Sequence, residues 1–593
     1  MPEASAVRLL IPNYDFLKTS KPLLLKGGTV VNHDVSFKSD VLVENGVIQA
    51  VGENLSYPDG TEIIDVNNKL LLPGGIDLDC HIGVATSNDP IADTYLSAGK
   101  AALFGGTTTI VNTVNAYPGE SLINAYEQFV SSAHENLACD YGVCLRLAGF
   151  SSETNNELIT LVRDKGVVLF SVRVGSKSSS MVDNEQCIIN EEEFCSFLNI
   201  CRQLGALPML EAATSVSLSQ KLSSDVQINF PDIGPEVNLL ISPEEAEANS
   251  ILQGSLFSQY AGFRCPVLIS RIYSKAALNC FIEQRRMCRG ILFGQTSIPA
   301  IAVPLSLMNC DDHSNDVLTH SKNWAVAASY MCDPPLRPDT YLSQRLLTHL
   351  VSEDLVCVGS GHRAITTAVR AAFGSKNAVH IPRGIASLGH RMVALWHFGV
   401  ESGFLDPCMF VKVTSSNPAR LINVYPQKGR IEVGSDADIL IWSNSYKQEI
   451  LKNILPDDVP NLFSNTSYQS GPEMVILRGH IAVKNSEFSN NTSTCGKLLV
   501  CRPFSHYVYA RVDAVEKSVN SEFEMLQREP YVGNAVSNTT EASNDNKEGY
   551  YFRKEYYDNV PKVALPPGQR KIHTSVKTAQ PPGGSSNAFW SNE

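Results

Sequence analysis

The stretch Leu72-Pro73-Gly74-Gly75-Ile76-Asp77-Leu78-Asp79-Cys80-His81 alternates apolar and polar residues from Ile76 onward, with a Pro-Gly-Gly break before it. A period of two is that of a β-strand, so Asp79 and His81 leave the strand on the same side. Working outward, strand-like runs at 70–79, 107–114, 141–147, 167–174, 206–211, 266–271, 290–294 and 355–360 alternate with helical ones at 122–138, 192–204, 243–260 and 275–289. That alternation is the mark of parallel βα units, and eight such strands close a barrel. Ser242-Pro243-Glu244-Glu245 carries a helix-start signature, with Ser as cap, Pro at the first position and acids in the first turn.

The flanks read differently. Residues 22–64 break into short runs at 23–25, 30–31, 41–43 and 48–51, separated by Gly27-Gly28, Asn32-His33 and Asn45-Gly46, the pattern of a β-meander. Far downstream, Arg430-Ile431-Glu432-Val433-Gly434-Ser435-Asp436-Ala437-Asp438 leads into Ile439-Leu440-Ile441-Trp442, and 474–483 adds two more strands. The fold class expected is therefore α/β: a (β/α)8 TIM-type barrel over 70–424, a composite β-sandwich domain built from both chain ends (21–69 plus 425–500), and a largely disordered C-terminal tail over 501–593. The tail assignment rests on composition, since 519–546 is rich in Asn, Ser and Glu, and 565–593 carries Pro566-Pro567-Gly568 and Pro581-Pro582-Gly583-Gly584. Tyr550-Tyr551 and Tyr556-Tyr557 are unusual for a pure linker, and Arg570, Lys571, His573 and Lys577 make the end locally basic.

Composition bounds the function. A 593-residue chain with 43% hydrophobic residues has material for a large core. A net charge of −13 argues against a nucleic-acid-binding surface over the whole chain. Residues 1–20 lack the basic-then-apolar build of an export signal, and no apolar run spans a bilayer, so a cytoplasmic protein is expected. The 15 cysteines form no CxxC pair and read as reduced, mostly buried thiols.

Five motifs in order resemble the dihydropyrimidinase and hydantoinase branch of the cyclic amidohydrolases: Leu72-Pro73-Gly74-Gly75-Ile76-Asp77; Lys100-Ala101-Ala102 with Gly105-Gly106-Thr107-Thr108; Ser242-Pro243-Glu244-Glu245; Pro334-Pro335-Leu336-Arg337; and Lys428 through Asp438. Within that branch the chain looks most like the dihydropyrimidinase-related proteins, also called collapsin response mediator proteins. Asn559-Val560-Pro561-Lys562 and Leu565-Pro566-Pro567-Gly568 are similar to the C-terminal end of those proteins.

The resemblance implies a two-metal site at the barrel mouth, made of two His on strand one, a carboxylated Lys on strand four, His on strands five and six, and Asp on strand eight. Imidazoles and carboxylates donate lone pairs to the metals, whose bound hydroxide attacks the ring amide while Asp shuttles protons. At the matching positions this chain has Asp79, His81, Ser171, Glu211, Arg271 and Gly361. Only His81 matches. Ser171 cannot form a carbamate, a guanidinium cannot ligate metal, and Gly361 has no carboxylate. Substrate-holding positions depart as well, at Ser176, Ala386-Ser387 and Asp333. No catalytic, metal-binding or cofactor-binding residue is therefore assigned, and the six positions read as vestigial, with Glu211 and Arg271 expected to pair with each other. His362 reads as a polar lining residue.

Set beside this is a rebuilt divalent-metal site on Asp79, His81 and Glu211, with hydrolysis of cyclic amides. The resemblance further implies a catalytically inactive pseudoenzyme, a cytosolic homo- or hetero-tetrameric adaptor. It would bind tubulin or other cytoskeletal proteins and work in axon guidance and neurite growth, without nucleic acid or a membrane span.

Overall fold

The structure is a computed structural model that describes residues 21–83, 90–175, 187–213, 216–260, 264–303, 323–444, 455–489, 496–524 and 532. Among the described residues, seventeen strands fall into two sheets. At the N-terminal end lie β1 (Leu23–Val31), β2 (Ser36–Glu44), β3 (Val47–Gly52), β4 (Glu62–Asp65) and β5 (Leu70–Pro73). The barrel strands follow: β6 (Gly75–Cys80), β7 (Thr107–Asn115), β8 (Asp140–Arg146), β9 (Leu169–Val172), β10 (Leu207–Glu211), β11 (Val267–Ser270), β12 (Leu292–Ser297) and β13 (Leu355–Gly359). The C-terminal part adds β14 (Ile439–Ser443), β15 (Gly471–Leu477), β16 (His480–Lys484) and β17 (Glu487–Phe488).

All eight expected barrel strands are present, in one parallel sheet ordered as the sequence orders them. Apart from the last two residues of β7, every strand residue is buried, as in a sheet covered on both faces. The ring closes between β6 and β13 through an isolated bridge, Cys80 to His362, with His81 N donating to His362 O at 2.8 Å and Gly361 N to Asp79 O at 2.9 Å.

The run 70–79, expected as one strand, is two. Leu70–Pro73 pairs with Thr29 and Val30 of β1 and with β14, whereas Gly75–Cys80 opens the barrel. The switch falls at Gly74, whose N–H goes to Asp438 O at 2.8 Å and whose missing side chain leaves room for Thr108. Pro73, with no N–H to give a ladder, suits the end of a strand.

The composite domain takes the form of one nine-stranded sheet, ordered β17-β16-β15-β14-β5-β1-β2-β3 with β4 beside β1. The runs 23–25 and 30–31 are halves of one strand, with a register shift between Leu25 and Gly28. The sheet curls over its own core: Gly46, in the β2–β3 turn, lies against Gly479, in the β15–β16 turn. Leu25, Val41, Ile48, Ile439 and Ile476 share one buried cluster between the two halves.

Sheet and barrel are tied by a buried charge cluster. Lys428 Nζ donates to Asp140 Oδ2 at 2.8 Å and Asp438 Oδ2 at 2.6 Å and lies 3.1 Å from Asp436 Oδ2, while Arg478 also pairs with Asp140. Burial works against the ammonium, but Asp438 and Asp436 hold its pKa above the ordinary lysine range. Two further motifs meet in the same manner: Arg337 of the Pro-Pro-Leu-Arg run donates to Ser242 O at 2.6 Å and pairs with Glu247 in the helix Glu244–Tyr260.

The region assigned to the tail begins with ordered structure. The helix His506–Glu524 packs beneath the barrel, where Val508 and Tyr509 join the interior cluster of Ile76, Met209, Leu268 and Phe293. Tyr509 Oη donates to Ala206 O at 2.6 Å, just ahead of β10. Beyond that helix only Val532 is described, so the tail's tyrosine pairs and basic residues lie outside the described residues, as does Ser176. Among the described residues the 13 cysteines are all free, and no helix is long and apolar enough to cross a membrane.

Candidate functional site

The C-terminal ends of the parallel strands form the barrel mouth, where backbone N–H groups and strand-end side chains converge. Asp79 is the fifth residue of β6, Ser171 the third of β9 and Glu211 the last of β10. His81 and Arg271 directly follow β6 and β11, and Gly361 lies two residues past β13. Asp79, Ser171, Glu211 and Arg271 are brought together in one hydrogen-bonded network. Gly361 contributes only its backbone, through Asp79 O.

The expected Glu211–Arg271 pair is not formed. Arg271 instead grips Asp79 across the barrel, with Nε at 3.0 Å from each carboxylate oxygen and Nη2 at 2.6 Å from Oδ1, and its Nη1 donates to Asp333 O at 3.1 Å. Ser297 Oγ adds a bond to Asp79 Oδ2 at 3.0 Å. Arg271 takes a left-handed backbone, with φ of 55°, just after β11. Glu211 is claimed by two other arginines: Arg146 pairs with Oε1, and Arg173 Nε lies 2.7 Å from Oε2. Ser171 Oγ donates to Oε1 at 2.8 Å. Arg173 also reaches Asp333, Nη2 to Oδ2 at 2.6 Å. The reason is geometric. β10 has β9 on one side, and Arg146, at the end of β8, and Arg173, just past β9, project into the same mouth as Ser171.

These contacts set the charge states. Burial pushes the Glu211 carboxyl up, but Arg146, Arg173 and Arg271 outweigh it and hold its pKa well below the ordinary value. Asp333 is treated alike, its burial opposed by Arg173 and Arg383, with a net downward shift. Burial, then Arg146 and Arg271, keep the His81 imidazole neutral by lowering its pKa well below 6.5. His362 is a bonded core residue: its Nδ1 accepts from Ser387 N at 3.0 Å and Leu388 N at 3.2 Å, which leaves Nε2 to donate to Asp93 Oδ2 at 2.7 Å.

This donor set does not fit a pair of divalent metals. Every carboxylate oxygen of Asp79 and Glu211 is committed to a guanidinium or hydroxyl, and three guanidiniums occupy the space in which cations would have to sit. Among the described residues no three His, Cys, Asp or Glu side chains form a group able to hold a metal ion.

Sequence reasoning missed Arg146 and Arg173, because it searched strand ends for ligands and not for cations. The signal was there: Arg173 is two residues from Ser171, on the same side of an alternating run. Asp333, a departure from a substrate-holding residue by its sequence position, is an acceptor for Arg173.

The amidohydrolase family profile matches residues 355–482. Dihydropyrimidinase-related protein 5 of Rattus norvegicus is 32% identical over 516 residues, covering 87% of this chain and 86% of that protein. Dihydropyrimidinase of the same organism is 32% identical over 520 residues, covering 87% and 95%. Among solved structures, D-hydantoinase (dihydropyrimidinase) from Thermus sp. superposes with a TM-score of 0.73 at 27% identity, covering 82% of this chain and 100% of that one. Dihydropyrimidinase from Brevibacillus agri NCHU1002 gives 0.73 at 25% identity, covering 82% and 99%.

Proposed function

The chain belongs to the family of dihydropyrimidinases and dihydropyrimidinase-related proteins, and from that membership we propose that it is a non-catalytic member, a cytoplasmic oligomeric adaptor. The observation that carries this reading is the guanidinium lattice at the mouth. Arg271 on Asp79, with Arg146 and Arg173 on Glu211, satisfies the two carboxylates best placed to bind metal. A buried carboxylate so satisfied gains nothing from a competing dication that must first expel its arginine partners.

The adaptor role draws on the family resemblance. It comprises self-association as a homo- or hetero-tetramer, binding of tubulin or other cytoskeletal proteins, and work in axon guidance and neurite growth. The domain division proposed with it keeps a composite sheet and a barrel, with the expected seam at 69/70 moved to Gly74, since Leu70–Pro73 is a strand of the sheet, and with the start of the tail moved from 501 to beyond the helix His506–Glu524.

Metal analysis of the purified chain, a dihydrouracil and hydantoin hydrolysis assay, and co-sedimentation with microtubules test it. Sub-stoichiometric zinc, no turnover and co-sedimentation are expected. Stoichiometric zinc with turnover abolished by His81→Ala would sink it. The competing reading is a metal-dependent hydrolase of cyclic amides with a rearranged site on Asp79, His81 and Glu211. It draws support from the equal 32% identity to rat dihydropyrimidinase, and the same assay decides between the two.

A further inference from the structure

The mouth opens above Asp79 and Glu211 into a cavity of about 620 Å³. Its charged lining is one-sided, because Arg146, Arg173, Arg271, Arg363 and Arg383 face it and Asp333 is the one lining carboxylate among the described residues. The first three arginines are matched by Glu211, Asp79 and Asp333. Arg383 is not. It acts on Asp333 through space, and among the described residues its guanidinium has no hydrogen-bonded partner. Its backbone is fixed, since Arg363 Nη1 donates to Arg383 O at 3.0 Å.

A second group points the same way. His81 lines the cavity at 5% exposure, and among the described residues its ring has no hydrogen-bond partner. A nine-tenths buried imidazole normally bonds through at least one nitrogen, and leaving it empty is unfavourable. The wall supplied by the helix Val216–Asn229 presents Ser219, Gln220 and Gln227, which are neutral donors. The acid on that helix, Asp225, is held by Lys221 at 2.8 Å and does not line the cavity.

We propose that this cavity binds the oxyanion group of a small organic acid, with the Arg383 fork and one His81 N–H as its donors. A concave, low-dielectric site with surplus positive charge concentrates anions, and a guanidinium matches the paired oxygens of a carboxylate. Phosphate offers the same oxygen geometry, so both chemistries belong in the test. The inference goes beyond the adaptor reading and does not depend on it, because binding is measured whether or not the chain turns anything over.

The experiment is isothermal titration of the full chain with succinate, with inorganic phosphate and with acetamide as an uncharged control, all at constant ionic strength. Saturable one-to-one binding of succinate or phosphate is expected, with none of acetamide, and whichever anion binds identifies the chemistry. Arg383→Ala should weaken binding roughly tenfold or more, the loss of a charge-assisted pair. Arg383 is half-buried and lies outside the core, and circular dichroism checks that the change leaves the fold intact. Asp333→Asn removes the competing carboxylate and should tighten binding. Saturable heat with neither anion, or Arg383→Ala binding as tightly as the parent, would overturn the proposal.

Discussion

Replacing Glu211 by Gln removes one negative charge from the most heavily engaged carboxylate in the mouth. Glu211 is 4% exposed and accepts from Arg146, Arg173 and Ser171. Arg173 keeps Asp333, but Arg146, itself buried, is left donating from Nη1 to the neutral amide oxygen of Asn115 at 3.1 Å. Breaking a buried pair from one side costs about 3–5 kcal/mol. Two charge-assisted bonds at about 1.5–3 kcal/mol each give a similar range.

For a body of roughly 500 residues the unfolding entropy is about 1 kcal/mol per degree, so the melting temperature should fall by about 3–5 °C. Because Glu211 has a lower pKa folded than its ordinary 4.5, its contribution is complete above that value and is lost as pH falls through the folded one. The gap between parent and variant should therefore persist at pH 5 and close only in strong acid. Scanning fluorimetry at matched scan rates measures it, and a second variant, Glu211→Gln with Arg146→Met, should recover part of the loss by removing the stranded cation. A Glu211→Gln variant that melts within about 1 °C of the parent at pH 7 would refute the reasoning.

Three further outcomes are expected. Burial pushes the Glu247 carboxyl up to about 7 against the pull of Arg337, so its native form takes up a proton and the parent loses stability as pH rises from 4.5 to 7. Glu247→Gln should flatten that part of a melting-temperature profile, and an unchanged profile would contradict it. Lys428→Met leaves Asp436 and Asp438 without their ammonium, while Asp140 keeps Arg478, and should cost about 3–5 kcal/mol, read as a lower melting temperature, with neutral behaviour counting against the cluster as a tie. Truncation after Met525 should leave the melting temperature unchanged, whereas truncation after Pro503 uncovers the surface under Val508, Tyr509 and Val512 and should lower it.

Barrel strands were legible because parallel strands covered on both faces read as apolar runs, and Leu207–Glu211 and Leu355–Gly359 fall within a residue of their expected bounds. The split at Gly74 was hidden, since Leu70–Pro73 and Gly75–Cys80 both read as strand and only their partners, β14 in one case and β7 in the other, tell them apart. The helix His506–Glu524 was lost to a compositional boundary drawn before it, although Val508, Tyr509 and Val512 carry helical spacing. At the site, residue identities revealed which ligand types were missing, but not which arginine answers which carboxylate. Strand order puts Glu211 beside Arg271, and side-chain reach decides for Arg146 and Arg173 instead.

The peptide at Gly74 also has a bearing on how the chain is made. Its preceding strand, Leu70–Pro73, has β1 on one flank and β14 on the other, and β14 is encoded after the whole barrel. During translation, Leu71 and Leu72 therefore wait with one edge bare until Ile439–Trp442 leave the ribosome, an edge open to wrong pairing with a neighbouring nascent chain. Contacts so distant in sequence form late, so the seam between sheet and barrel closes only after the barrel strands have been made.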